Sequence, residues 1–483
     1  MGSAVENVLT LDTLNPNVIE LQYAVRGPIV IRATQIEDEL LAGEKKPFPK
    51  VVKANIGDCH ATGQKPITFI RQVLALCTYP ELLKSNDFPA DTKEKAKRLL
   101  DGCKGHSLGS YSDSCGLNVI RKDVAAFIEE RDGHPSDFND IVLSTGASDA
   151  IKSVMTLLLT AKDGVNKAGF MIPIPQYPLY SAAISEFGAH PIPYYLNEKA
   201  SWSLDVSELE RAIAAARPVC KPRAIVIINP GNPTGAVLTK ENIQKIIKFA
   251  KKEKLFLLAD EVFQHNVYAA GAKFYSFKQV LMELGSPYNK MELASFMSAS
   301  KGYMGECGYR GGYAEVINLL PEVRAEYYKS ISAKLCPPVS GQVVVDCVVS
   351  PPKFGDPSYE LFYEEKNFVL AKLKENSELI TKFFNSIEGI TCNEVMGSMY
   401  AFPRIYLPEK AIQAAKAAGQ SPDAFYCFAL LEKTGICTVP GSGFREEEGT
   451  YHFRTTILPP VEELKAVLAK FKDFHLNFLA KYK

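Results

Sequence analysis

Between residues 140 and 317 the chain alternates between two patterns of apolar and polar positions. Short, almost wholly apolar runs recur: "IVLST" (141–145), "GFMIPIP" (169–175), "HPIPYYL" (190–196), "RAIVIINP" (223–230), "LFLLAD" (255–260), "LASFMS" (293–298) and "GGYAEVI" (311–317). Between them lie stretches with helical periodicity, such as "ASDAIKSVMTLLLTA" (147–161), "VSELERAIAAAR" (206–217) and "TKENIQKIIKFAKKEK" (239–254). A strand that is apolar throughout is covered on both faces. Seven such runs joined by amphipathic helices predict a seven-stranded, mostly parallel sheet in an α/β fold, with helices on both sides.

After about residue 318 the pattern becomes helix-rich, with a long charged helix near 358–387, short strands within 390–404 and 436–457, and a terminal helix from about 461. That composition predicts a second, smaller α+β domain. A chain of 483 residues exceeds one ordinary core, which agrees with a two-part division. The expected boundaries are a large domain at 66–344 and a small, discontinuous domain made of 1–65 and 345–483.

Charge and cysteine content narrow the partners. Lys plus Arg equals Asp plus Glu at 55 each, which argues against nucleic acid or an anionic membrane as the main partner. No run approaches the roughly 20 apolar residues that a membrane span needs. The eleven cysteines are scattered singly from Cys59 to Cys437, with no C-x-x-C pair and no clustering with the seven histidines. They read as reduced thiols, with neither a disulfide frame nor a metal site. The N-terminal segment lacks the pattern of a secretory or mitochondrial presequence, and Glu6 stands where a myristoylation motif starting at Gly2 needs Ser or Thr. A cytoplasmic protein is expected.

In an open α/β sheet, ligands gather at the carboxyl ends of the strands, and four consecutive strand ends carry suitable chemistry. "IVLST" runs into "GASDAI", where Gly146 permits a tight turn and the amides of Ala147 and Ser148 open a helix, an arrangement suited to a phosphate. "RAIVIINP" leads to Asn232 in "GNPTG", "LFLLAD" ends in Asp260, and "LASFMS" leads to Lys301. Lys301 lies among Ser298, Ala299, Ser300, Gly302 and Gly305, small neighbours that leave room for a flat ligand. Each residue also has an ordinary reading: an N-cap for Ser148, a turn for Asn232, a cap for Asp260, a surface amine for Lys301. Their convergence at one end of one sheet favours function. "GSGF" (441–444) lacks the third glycine of a dinucleotide fingerprint and reads as a turn.

The segments "TGASDA", "IPIPQYPLY", "NPGNPTGAVL", "LLADEVF", "SASKGYMGECGYRGG" and "HFRTTILPP" together resemble the fold-type-I pyridoxal-phosphate aminotransferases. Within them, "QYAVRGPIVIRA" (22–33) and "NIGDCHATGQKPITF" (55–69) resemble the alanine aminotransferase subgroup. The resemblance implies pyridoxal 5'-phosphate as cofactor and assigns residues to it. Lys301 would bond the cofactor aldehyde and later move a proton between the substrate α-carbon and the cofactor, with an amine pKa lowered by the pyridinium and Arg310. Asp260 would keep the ring nitrogen protonated. Arg310, Ala147, Ser148 and Ser298 would hold the phosphate, Tyr177 would stack on the ring, and Asn232 would donate to the phenolate oxygen. Tyr111 would reach the phosphate of a neighbouring subunit, which implies a homodimer. Arg454 would clamp the substrate carboxylate, with Gly57 in close approach on the opposite side.

The implied reaction is ping-pong transfer of an amino group from L-alanine to 2-oxoglutarate through pyridoxamine phosphate. Glutamate:glyoxylate transfer and a lyase reaction on the same fold are the alternatives, because motifs around a cofactor do not define the side-chain pocket. One residue departs from the family pattern: where relatives carry a tyrosine donor to the phenolate, this chain has Phe263, leaving Tyr268 as a candidate substitute.

Overall fold

Seven strands form the central sheet of the computed structural model, which describes residues 7–23, 27–160 and 163–483. They are β1 (Ile141–Thr145), β2 (Ala168–Ile174), β3 (His190–Tyr195), β4 (Lys221–Ile228), β5 (Phe256–Asp260), β6 (Leu293–Ser298) and β7 (Gly311–Ile317). Their lateral order is β1-β7-β6-β5-β4-β2-β3. The pairs β2/β3, β2/β4, β4/β5 and β5/β6 are parallel. Strand β7 alone runs backwards, antiparallel to both β6 and β1. A parallel return needs a crossover of a dozen or more residues, usually a helix; between β6 and β7 there is only a loop with a short 3-10 turn at Cys307–Tyr309. The chain therefore doubles back, Ser298 pairs with Gly312, and both ends of the loop stay at the same edge of the sheet.

Helices cover both faces. Along β4 the side chains alternate: Ile225 and Ile227 pack with α3 (Val206–Ala216) and α4 (Lys240–Glu253), while Ala224 and Val226 pack with α1 (Gly146–Leu158) and α2 (Leu179–Glu186). That period of two is why the run is apolar throughout. The helices bury single stripes, Leu209, Ala212, Ile213 and Ala216 in α3 and Ile243, Ile246, Ile247 and Ala250 in α4. Asp205 and Thr239 cap their N-termini by accepting from backbone N–H groups, the role expected of such residues.

A third buried cluster extends from Ile29 to Phe478 and includes residues of the helices Thr68–Thr78, Val339–Val349, Tyr359–Asn385 and Val461–Tyr482. Beside it, β8 (Tyr400–Ala401), β9 (Val439–Pro440) and β10 (Phe453–Thr456) form a small antiparallel sheet in the order β8-β10-β9. Val52–Lys53 pairs in parallel with Ile436–Cys437, so the N-terminal segment joins the C-terminal part. The anticipated strands lie within about two residues of those found, and the helix read as 147–161 stops at Leu158, the usual uncertainty of helix ends. "GSGF" is a 3-10 turn. Gly2 and Glu6, and residues 24–26 of the "QYAVRGPIVIRA" segment, lie outside the described residues. Among those described, no helix is long and apolar enough to cross a membrane, and no metal-ligating cluster occurs. All eleven cysteines are free.

One ion pair fastens the helix α5 (Phe277–Glu283) to the sheet: Lys278 Nζ donates to Glu315 Oε1 of β7, with both side chains 1% exposed, and Ser136 Oγ donates to the same oxygen at 2.6 Å. Removing one partner strands a buried charge, which costs about 3–5 kcal/mol, whereas replacing both by apolar groups is often neutral. Lys278→Met is therefore expected to lower the denaturation midpoint well below that of the double variant Lys278→Met/Glu315→Leu. Equal midpoints in urea unfolding would contradict this account of the pair.

Candidate active site

The carboxyl ends of β1, β4, β5 and β6 open onto one cavity of about 550 Å³, lined among others by Gly57, Ala147, Ser148, Tyr177, Asn232, Asp260, Ser298, Lys301, Arg310 and Arg454. Ten of the eleven residues singled out in the sequence thus meet in one place. Tyr111 does not: it is 68% exposed, away from the cavity.

The anion-binding corner is built from backbone constraints. Gly146 has φ +75°, and a Cβ there would stand 2.5 Å from Arg310 Nη2, so glycine both permits the turn and lets the guanidinium approach the start of α1. Arg310 is itself in the left-handed region at φ 55°. Its Nη1 donates to Cys307 O at 2.9 Å and its Nη2 to Thr145 O at 3.4 Å, which aims the fork across the first turn of α1. The open N–H groups there, the α1 dipole and the guanidinium all favour an anion.

Lys301 is carried by the loop that reverses the chain. Its Nζ donates to Gly57 O at 2.5 Å. Arg71 grips Glu306 with Nε at 2.8 Å and Nη2 at 2.9 Å, and Gln64 donates to Tyr303 O at 2.7 Å, so the loop is braced from both sides. Burial disfavours the charge on the amine; ionised Tyr400, Cys59 and Cys307 favour it, Arg454 opposes it, and the net direction is upward. The expected depression applies to an amine beside the pyridinium and Arg310; among the protein's own residues the cation that opposes the charge is Arg454, and Tyr400, Cys59 and Cys307 outweigh it. Burial pushes the neighbouring Cys59 thiol up to about 12.

Two opposite charges border the cavity without meeting. Asp260 accepts from Tyr180 Oη at 2.9 Å and from Val262 N at 3.4 Å. It has no cationic partner among the described residues, and burial pushes its carboxyl up to about 6. Arg454, only 1% exposed, donates through Nη2 to Asn55 O at 2.7 Å and through Nη1 to Asn232 Oδ1 at 3.1 Å. Its Nε has no hydrogen-bond partner, and burial lowers its pKa. The rings of Tyr400 and Phe444 flank it, at 4.0 and 4.8 Å from the guanidinium carbon to the centroids. Because a guanidinium only donates, the Asn232 oxygen must face Arg454 and its NH2 is left for the cavity.

Residues 76–471 match the family model described as aminotransferase class I and II. The chain belongs to this family. A Danio rerio alanine aminotransferase 2-like protein is 58% identical over 98% of this chain and 87% of its own length. Human alanine aminotransferase 1 is 57% identical over 98% of this chain and 96% of its own. A solved alanine aminotransferase from Pyrococcus furiosus shares the fold with a TM-score of 0.75 at 23% identity, covering 96% of this chain and all of that one.

The cofactor of this aminotransferase is pyridoxal 5'-phosphate, and the residues present fit it. A buried carboxylate lacking a cation suits a pyridinium N–H, the Arg310–α1 corner suits a phosphate, and the Lys301 amine lines the same cavity.

Sequence reasoning missed three residues. Tyr180, one turn after Tyr177, orients Asp260. Tyr23 meets the Tyr177 hydroxyl at 2.9 Å, and Tyr400 lines the cavity beside Lys301. The spacing of "QYPLY" was a signal for the first, and Tyr23 falls inside the quoted "QYAVRGPIVIRA" segment; Tyr400 lies in no quoted motif and arrives from a remote segment. Phe444 of "GSGF" was set aside as part of a turn, yet it packs on Arg454. Phe263 does line the cavity, with its ring edge-to-face on Tyr400 at 6.1 Å. Tyr268 is no substitute donor, because its hydroxyl donates to Ser398 O at 2.8 Å and accepts from Asn266 at 2.9 Å.

Gly57 has no room for a side chain: an ideal Cβ would lie 1.9 Å from Tyr400 Oη and 2.9 Å from Lys301 Nζ. Gly57→Ala must displace the tyrosine, the amine or both, and a shift of about 1 Å at a reacting group can cost about 10²-fold in rate. The expected result is a fall in kcat of that order with an unchanged circular dichroism spectrum. Wild-type kcat in a folded Gly57→Ala variant would show that neither group needs its present position.

Proposed function

We propose that this cavity transfers the amino group of L-alanine to 2-oxoglutarate, giving pyruvate and L-glutamate by a ping-pong route. The observation that carries this reading is the pair of buried charges without counterions, Asp260 and Arg454, lining one cavity with the Lys301 amine. A site that held the two charges for stability alone would pair them. The names of the curated relatives, alanine aminotransferases at 57–58% identity over nearly the whole chain, support the choice of substrates.

Arg454 binds the α-carboxylate of either substrate in its planar fork. Asn232 and Tyr177 would orient the flat cofactor, Asp260 would hold its ring nitrogen protonated, and Arg310 with Ala147, Ser148 and Ser298 would hold its phosphate. The cofactor, when bound, supplies an electron sink for the α-carbon. Lys301 would hold the cofactor and would move the proton that leaves the substrate α-carbon. Division into a large unit at 66–344 and a small unit of 1–65 and 345–483 assigns Arg454 to the part that closes over the substrate, excluding water. The exposure of Tyr111 supports its use by a second copy, and hence a homodimer. A cytoplasmic location accompanies this reading.

The experiment that tests the substrates is a steady-state panel of amino donors against 2-oxoglutarate, glyoxylate and oxaloacetate. The alanine/2-oxoglutarate pair is expected to give the highest kcat/KM, with pyruvate appearing only when an oxo acid is supplied. Pyruvate formed from alanine alone would indicate a lyase, and dominance of glyoxylate would make this a glutamate:glyoxylate enzyme. Arg454→Lys keeps the charge and loses the fork, so kcat/KM for alanine and 2-oxoglutarate should each fall about tenfold or more while cofactor affinity holds.

Phe263 gives a further expectation. With no hydroxyl there and Tyr268 committed elsewhere, Asn232 is the main donor left for the phenolate oxygen. Phe263→Tyr adds one, which should lower the pH midpoint of the bound cofactor's visible absorbance by about 1–2 units. Identical midpoints with full cofactor occupancy would place the 263 ring away from that oxygen.

A further inference from the structure

Tyr400 belongs to none of the motifs, yet its placement is tightly defined. It lies in β8 opposite Thr456 of β10 and is 3% exposed. Its ring covers the Arg454 guanidinium at 4.0 Å and takes the Phe263 ring edge-on at 6.1 Å. A phenylalanine would make the same ring contacts, so packing does not account for the hydroxyl. The hydroxyls of Tyr177, Tyr180 and Tyr268 all have partners; that of Tyr400 hydrogen-bonds no other described residue. It stands over Gly57, crowding the same point as Lys301 Nζ, as the position of an ideal Gly57 Cβ makes plain. Tyrosine at 400 therefore imposes glycine at 57.

The chemistry of Lys301 gives that oxygen a use. A free amine that takes a proton becomes an ammonium with three N–H donors, and a buried ammonium needs acceptors. Gly57 O is one. The Tyr400 oxygen is within the same small space, and no carboxylate salt-bridges to Lys301 among the described residues. We propose that Tyr400 is a positioning residue for Lys301, its hydroxyl accepting a hydrogen bond from the ε-ammonium and holding it over the carbon it serves. In the step concerned the proton would pass from the substrate α-carbon to Nζ, the bound cofactor would supply the sink for the electron pair left behind, and Tyr400 would keep its own proton. The inference rests on Lys301 being the base of the proposed transamination; turnover by the wild type and borohydride labelling of residue 301 test that premise separately.

Tyr400→Phe removes the oxygen and keeps the ring. In the holoenzyme, kcat should fall about tenfold while KM for alanine and 2-oxoglutarate stays within about twofold, as for an interaction made only in the transition state. The isotope effect with α-deuterated alanine should rise, because proton transfer has become slower relative to the other steps. A second measurement needs no turnover: in the cofactor-free protein, the pH dependence of Lys301 acetylation, read from the modified peptide by mass spectrometry, should shift to a lower midpoint in Tyr400→Phe, since the ammonium has lost an acceptor. If the variant takes up cofactor poorly, this midpoint decides alone. An unchanged isotope effect with an unchanged midpoint, or a loss confined to KM, would overturn the proposal.

Discussion

A buried guanidinium and a buried carboxylate that border one cavity without touching are the constraint on which the site depends. Taking an ion out of water costs several kcal/mol even after relaxation, and neither Arg454 nor Asp260 recovers that from a counterion among the described residues. Their surroundings soften the cost. Arg454 lies between two aromatic faces and donates to a backbone carbonyl and an amide oxygen; Asp260 accepts from a phenol and a backbone N–H. These are partners that hold each group in place without neutralising it, so each charge stays available to a ligand of the opposite sign.

Keeping the charges apart is the work of the fold. Asp260 ends a central strand of the large sheet, while Arg454 sits in a four-residue strand of the small one. The amine comes from the one place where the main sheet reverses direction. Because β6 returns as β7 without a crossover, Lys301 just beyond the end of one and Arg310 just before the start of the other share an edge. A helical crossover would have sent Arg310 to the opposite end of the sheet, far from the start of α1. The antiparallel strand in an otherwise parallel sheet is thus tied to function through the loop that precedes it.

The sequence carried more of the strands and strand-end residues than of the groups that tune them. Two-sided burial leaves continuous apolar runs, which is why "LASFMS" and "GGYAEVI" coincide with β6 and β7. Residues immediately after those runs were legible because topology places strand ends together. Tyr400 was not, and Tyr23, though inside a quoted segment, was not tied to the cavity, since each reaches it from a segment distant in sequence. Nothing in "GSMYAFP" marks its tyrosine as facing an amine 99 positions earlier. Reversal of β7 was also invisible: an apolar run has no direction. The cation acting on Lys301 was hidden for a related reason: Arg310 is nearest in sequence, while tertiary packing brings Arg454 to bear on the amine.

A cavity that must accept both a methyl group and a second carboxylate faces opposed demands. A further guanidinium fixed in its wall would suit glutamate and would be left buried and unpaired whenever alanine was bound, at a cost typical of unsatisfied charged groups. The described residues lining the cavity include only three cations, Lys301, Arg310 and Arg454, and on the proposed reading each already has a duty. Apart from the carboxylates Asp58 and Asp260, the rest of the polar lining is neutral, with the hydroxyls of Tyr23, Tyr177, Ser148, Ser298, Ser300 and Tyr400. Such groups can donate to a carboxylate yet are far less costly than a charge when left beside a methyl, since a hydroxyl can turn towards water or a neighbour. A neutral wall trades binding strength for tolerance, which is what a two-substrate exchange through one pocket requires.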